Sequence, residues 1–238
     1  MIRFARSLRV VLPSVAIALV AFAPQTILAQ IGHSPLNSPY EDLKPTQDLT
    51  LFFGHFGSKI GDAGILPKPS IFGGLLYAVP VGGPASLTGR YTLIPSERRY
   101  LLPTNTAANR FLGTANSTTQ VVDAGISLAL TGRKTWHRLV PSLAGGVGLA
   151  SSPAKADTGG YKFGTKFAFT YGANVRYVLR NGWGLRADAT NYFWQITYPD
   201  SYAIPGVDKT AVLKNTAQRT GWKSNWALSA GLSAPIFR

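Results

Sequence analysis

The stretch that decides the fold runs from Lys166 to Tyr198 and reads KFAFTYGANVRYVLR, NG, WGLRADATNYFWQITY. In its first arm Phe167, Phe169, Tyr171, Ala173, Val175, Tyr177 and Leu179 fall on one parity. Thr170, Gly172, Asn174, Arg176 and Arg180 fall on the other. The second arm sets Trp183, Leu185, Ala187 and Ala189 against Arg186, Asp188 and Thr190. Period-two alternation means strands with one apolar and one polar face, and Asn181-Gly182 between them signals a hairpin. The arms exceed the five or six residues usual in a soluble strand. They suit a tilted strand crossing a bilayer, which takes about 9–11 residues.

Register refines the turn. A two-residue Asn-Gly loop would place opposite parities on one face, which a closed sheet cannot sustain. A three-residue loop, Arg180-Asn181-Gly182 with Gly182 left-handed, pairs Leu179 with Trp183 instead. Arg176 then lies opposite Arg186 and Asn174 opposite Asp188, with Arg176 and Asp188 diagonal neighbours. Beyond Asn191 the apolar residues Tyr192, Trp194, Ile196 and Tyr198 change parity, which predicts a bulge.

Working outward, the same pattern recurs. It predicts strands over about 48–56, 71–79, 87–95, 118–131, 139–150 and 222–237, which with the hairpin make eight. Loops after the first, third, fifth and seventh are long, and those after the second, fourth and sixth are short. Such alternation is the sequence form of an outer-membrane barrel. Tyr77, Trp136, Tyr177, Trp183 and Phe237 fall near the short turns. Phe53, Phe72, Phe167, Phe169, Phe193, Trp194, Tyr198 and Trp222 fall near the long loops. Two such bands match interfacial girdles.

The N-terminus sets the compartment. Arg3, Arg6 and Arg9 precede an apolar run from Val10 to Ala23, and Ala29 offers a cleavage site before Gln30. Residues 1–29 read as a cleaved signal peptide and residues 30–47, with three prolines, as an extended periplasmic lead-in. Residues 48–238 read as the barrel domain. No later apolar run is long enough for a transmembrane helix. There is no cysteine, so disulfides and thiolate metal sites are excluded. The formal charge of +14 becomes +11 without the three signal-peptide arginines. Export argues against nucleic acid as the anionic partner and favours lipid head groups.

This layout resembles the small eight-stranded outer-membrane barrels, such as the OmpA membrane domain and the OmpX and OmpW types. The final LSAGLSAPIF, Leu228 to Phe237, is similar to the assembly signal that ends such barrels. The resemblance implies an all-β fold, a closed eight-stranded antiparallel transmembrane up-and-down barrel. It also implies a monomer in the bacterial outer membrane, inserted by the barrel-assembly machinery.

Chemistry on the polar parity has two readings. Arg90, Asp123, Asn174, Arg176, Arg186, Asp188 and Lys223 form either an ion-paired plug or the lining of a narrow solute pore. An eight-stranded barrel is only wide enough to be filled by side chains, which favours the plug. Catalysis would rest on His55 with Ser58 and Asp62, in a loop that matches no nucleophile motif. No cofactor or metal set is indicated, and the GGxG at 145–148 sits inside a strand, as close packing. The long loops carry Arg98, Arg99, Arg110, Lys155, Lys162, Lys209 and Lys214. They are either a rim for lipopolysaccharide phosphates or another polyanion, or a solvated surface.

Overall fold

The computed structural model describes residues 38–58, 61, 63–213 and 219–237. The expected signal peptide and the first part of the lead-in, residues 30–37, lie outside the described residues. Eight long strands form the wall: β1 (Gln47–Gly57), β2 (Ser70–Gly82), β3 (Ala85–Ile94) and β4 (Thr119–Ala129), then β5 (Leu139–Ser152), β6 (Gly164–Val178), β7 (Gly184–Thr197) and β8 (Thr220–Phe237). Each pairs antiparallel with its sequence neighbour, and β8 pairs with β1 through contacts such as Leu232 with Leu51. The sheet is closed.

Its size follows from the register. Starting at Arg176, successive partners are Arg186, Gly231, Phe52, Gly74, Thr92, Val121 and Ala150. The next partner is Lys166, back on β6 and ten residues (176 − 166) from the start. Eight strands with a stagger of ten tilt by about 40° and enclose a backbone cylinder about 8 Å in radius, given the standard rise and strand spacing. A cylinder of that radius is filled by ordinary side chains.

The faces sort as the alternation predicts over most of the wall. Leu51, Phe53, Leu87, Val122, Leu149 and Leu228 point outward and are about half exposed, while Thr50, Thr92, Thr170 and Ser233 point inward and are buried. Roughly two dozen large apolar side chains share the outward face. Each forgoes about 1 kcal/mol of burial if water covers it. Their sum exceeds the 5–15 kcal/mol that holds a domain together. Lipid is the solvent that makes this surface stable, and the molecule is a membrane-spanning β-barrel.

The hairpin closes as expected: the Leu179 amide donates to the Trp183 carbonyl (2.8 Å), and Gly182 is left-handed (φ 88°). Arg176 faces Arg186 and Asn174 faces Asp188. The glycine run on β5 is close packing, since a Cβ on Gly148 would lie 2.1 Å from the Val122 carbonyl oxygen.

Three expectations are corrected. No bulge interrupts β7, because its register with β6 and β8 is continuous past Asn191. Tyr192, Trp194, Ile196 and Tyr198 keep the inward parity of Arg186 and Asp188 and are buried inside the barrel. What changes along β7 is the chemistry of the lumen. Phe72 joins them, so of the expected outer aromatic band Phe72, Trp194 and Tyr198 belong to the interior. The described part of the lead-in is also not a bare extended chain. Tyr40–Asp42 pairs with Lys134–Trp136 in the β4–β5 turn.

Candidate functional site: a plugged lumen under a basic cap

The lumen has two halves. On the side of the short turns, periplasmic in the expected orientation, Arg176 binds Asp48, and Thr50 pairs with Ser233 (2.7 Å). Arg186 grips Asp188, two residues on along the same face of β7, through three hydrogen bonds of 2.8–2.9 Å. The expected diagonal Arg176–Asp188 contact is therefore replaced by two other pairs. Asp48, at the start of β1, completes the first. Arg90 and Asp123 are cross-strand partners, yet Arg90 donates to Thr190 (3.0 Å) and Asp123 accepts from Thr170 (3.3 Å). Lys223 stands on the lumen parity opposite Trp194, near the outer end of β8.

Above this layer the interior is aromatic. Phe56 stacks on Trp194 (6.1 Å between centroids), and Phe163 meets the same indole edge-on (5.7 Å). Phe52 and Phe72 lie beneath them (6.0 Å apart), and Ile94 and Val121 are fully buried in the same core. A cavity of about 100 Å³ at the periplasmic mouth is bounded by Asp48, Asn174, Arg176 and Arg186. Around Arg90 lie two spaces of about 10 Å³, each the size of one water. Packing, not charge, closes the outer half.

The long loops continue that packing upward. Their side chains Ile65, Leu66, Tyr161, Phe163, Tyr202 and Leu213 share one core with the aromatic block. The loop between β3 and β4, expected as one of the long loops, forms a hairpin of Glu97–Leu101 with Phe111–Asn116. Arg98 is buried inside it, 3.8 Å from Asp157, donates to the Lys155 carbonyl (2.6 Å), and lies between the rings of Tyr100 and Tyr161. Asp157 also accepts from the Tyr202 hydroxyl and the Tyr161 amide. Burial pushes the Tyr161 phenol well above its ordinary range. Burial and then the bond to Asp157 do the same to Tyr202.

A second knot holds the outermost loops together. Asp208 accepts from the Thr210 hydroxyl (2.7 Å), the Ala107 amide (2.6 Å) and Arg110 (3.3 Å). These bonds, led by that of Thr210, hold its carboxyl down to about 2.

Charge in the cap now resolves. All four acidic residues described in the outer loops are matched: Glu97 by Lys68, Asp157 by Arg98, Asp200 by Arg219 and Asp208 by Arg110. Arg98 and Arg110, expected at an anion-binding rim, are thus internal. Arg99, Lys155, Lys162 and Lys209 are exposed and have no acidic partner within ion-pair distance among the described residues, while Arg99 lies over the Phe111 ring (5.5 Å). Lys214 falls outside the described residues. The sequence alone could not separate these classes, because Arg98 and Asp157 meet only through the fold.

His55 and Ser58 are not assembled as a dyad. His55 lies on the outward, exposed parity of β1, and the Ser58 hydroxyl donates to Asn225 Oδ1 (3.3 Å). Asp62 is outside the described residues.

No family model matches the sequence, and no curated protein matches it. Two solved structures of Ail of Yersinia pestis are similar in fold. The backbone structure of that outer membrane protein in a phospholipid bilayer nanodisc is 16% identical with a TM-score of 0.40. The match covers 79% of this chain and 99% of that one. The crystal structure of Ail, the attachment invasion locus protein, in complex with the heparin analogue sucrose octasulfate is 14% identical with a TM-score of 0.36, over the same shares.

Proposed function

We propose that this barrel is non-enzymatic, closed to solutes, and serves the cell surface by holding a basic cap toward polyanions, including lipopolysaccharide phosphates. One observation carries the reading. Every acidic residue described in the outer loops is neutralised, which leaves Arg99, Lys155, Lys162 and Lys209 as unbalanced positive charge on a packed support. A cation near an anionic surface contributes about 1 kcal/mol, screened by salt. The aromatic block argues against passage of solutes, and the outward His55 argues against hydrolysis.

The test is retention of the refolded full chain on immobilised heparin and on lipopolysaccharide with or without its phosphates. Replacing Arg99, Lys155 and Lys162 by glutamate should weaken binding at least about tenfold at low salt. Retention unchanged by that triple substitution would sink the proposal. Steady conductance in planar bilayers would overturn the closed lumen.

A further inference from the structure

One tip of the cap joins two loops and carries exposed apolar side chains. Residues 104–109 and 203–210 meet there as two hydrogen-bonded loops. The Val207 amide donates to the Thr104 carbonyl (3.1 Å), and a Cβ on Gly206 would lie 2.7 Å from the Asn105 carbonyl oxygen. The Asp208 knot ties the two loops together through Ala107 and Arg110. Lys209 is held in the left-handed region (φ 59°), where a residue with a Cβ is disfavoured.

This stiff frame displays apolar side chains to solvent. Val207 is 82% exposed and Ile204 60%. Phe111 and Leu112, at the base of the same tip, are more than half exposed. Burying such groups is favourable, so a tip with only a solvent role would gain from polar residues here. Asp208, bound to Arg110, and Lys209 follow Val207 in the chain, and Arg99 lies over the Phe111 ring.

We infer that this tip is an interfacial anchor that inserts Ile204 and Val207 into an apposed anionic lipid surface, with Lys209 and Arg99 on its head groups. Two arguments select lipid over a folded partner. Apolar side chains flanked by cations are the composition that binds lipid interfaces. Val207 is the most exposed large apolar side chain among the described residues, and the cavity of about 390 Å³ on the outer loops is lined by Lys68, Pro95, Glu97 and Asn116 rather than by Ile204 or Val207. A fluid surface accepts protrusions without needing complementary pockets. The inference deepens the surface-binding reading and adds to it a chemistry that cations alone do not supply.

The test uses the full chain in zwitterionic nanodiscs, floated with phosphatidylcholine vesicles containing about 30 mol % phosphatidylserine. Empty nanodiscs serve as the blank. The wild type should float with the vesicles. Ile204→Ser with Val207→Ser should float at least about fivefold less while its heparin retention stays unchanged. A Val207→Trp probe should be quenched by brominated acyl chains. A heat-modifiable gel shift confirms that each variant is folded. Equal flotation of the double serine variant overturns the inference, as does an unquenched tryptophan on bound vesicles. Wild-type protein that binds heparin but not these vesicles overturns it while leaving the basic-rim reading standing. Binding only to vesicles that carry a protease-sensitive receptor assigns the tip to a protein and overturns it too.

Discussion

The two halves of the lumen are lined by the same strands yet held by different forces. On β7, Arg186 and Asp188 face inward in the periplasmic half, and Tyr192 and Trp194 face inward in the outer half. The lower half is satisfied pair by pair, Arg176 with Asp48 and Arg186 with Asp188. The upper half has few directional bonds and is held by area and ring contacts. Charges in the lower half must be matched, because an unpaired buried charge is costly. Aromatics in the upper half must interlock, because a void leaves contacts unmade. The difference also separates tasks: the lower half is a fixed polar filling, and the upper half is the foundation on which the loops stand.

The largest expected effect breaks the upper half. Trp194 touches Phe56, Phe163 and Tyr192, so Trp194→Ala should cost about 3–5 kcal/mol in urea-dependent folding into lipid vesicles. Because loop residues share this core, the variant should also be cut faster within residues 153–163 by added protease. If the barrel weakens and the loops stay protected, cap and plug are independent.

The lower half should respond differently. Asp188→Ala leaves Arg186 buried without its carboxylate and should cost about 3 kcal/mol. Replacing both Arg186 and Asp188 by leucine should recover most of that loss, since an apolar pair of similar volume is often neutral. Loop protection should be unchanged in both variants. A double variant as unstable as the single one would show that the pair stabilises the barrel outright.

The contrast explains what could be read from residues alone. Hairpin register was legible because strict period-two alternation and one Asn-Gly turn leave a single parity-consistent pairing. Eight strands were legible for the same reason, repeated. The aromatic plug was not, because alternation reports two faces without saying which solvent each meets. Beyond Asn191 the inward residues Tyr192, Trp194 and Ile196 are apolar while Gln195 and Thr197 on the outward face are polar, so the inward aromatics pass for a shift of parity. The cap escaped for another reason. Glu97–Leu101 and Phe111–Asn116 are short, and Arg98 and Arg110 are indistinguishable from Arg99 until Asp157 and Asp208 are brought to them. The exposed tip was visible only as loop.

The smallest expected effect sharpens where the packed upper half gives way to its surface. Asp208 is partly exposed, and its hydrogen bonds, led by that of Thr210, lower its carboxyl to about 2. A carboxyl lowered in the folded state adds stability that is present above its unfolded value, about 3.9, and is lost as pH falls through the folded one. The Ala107 and Thr210 amide resonances should therefore hold their positions from neutral pH down to about 4. They should then move together with a midpoint near 2, while resonances of the aromatic plug stay still. Asp208→Asn keeps the shape, loses the charge and should abolish that transition, with trypsin cleavage after Lys209 becoming faster at neutral pH. A midpoint near the ordinary carboxylate value would mean that the tip is not held rigid, and the insertion of Val207 would then lack its frame.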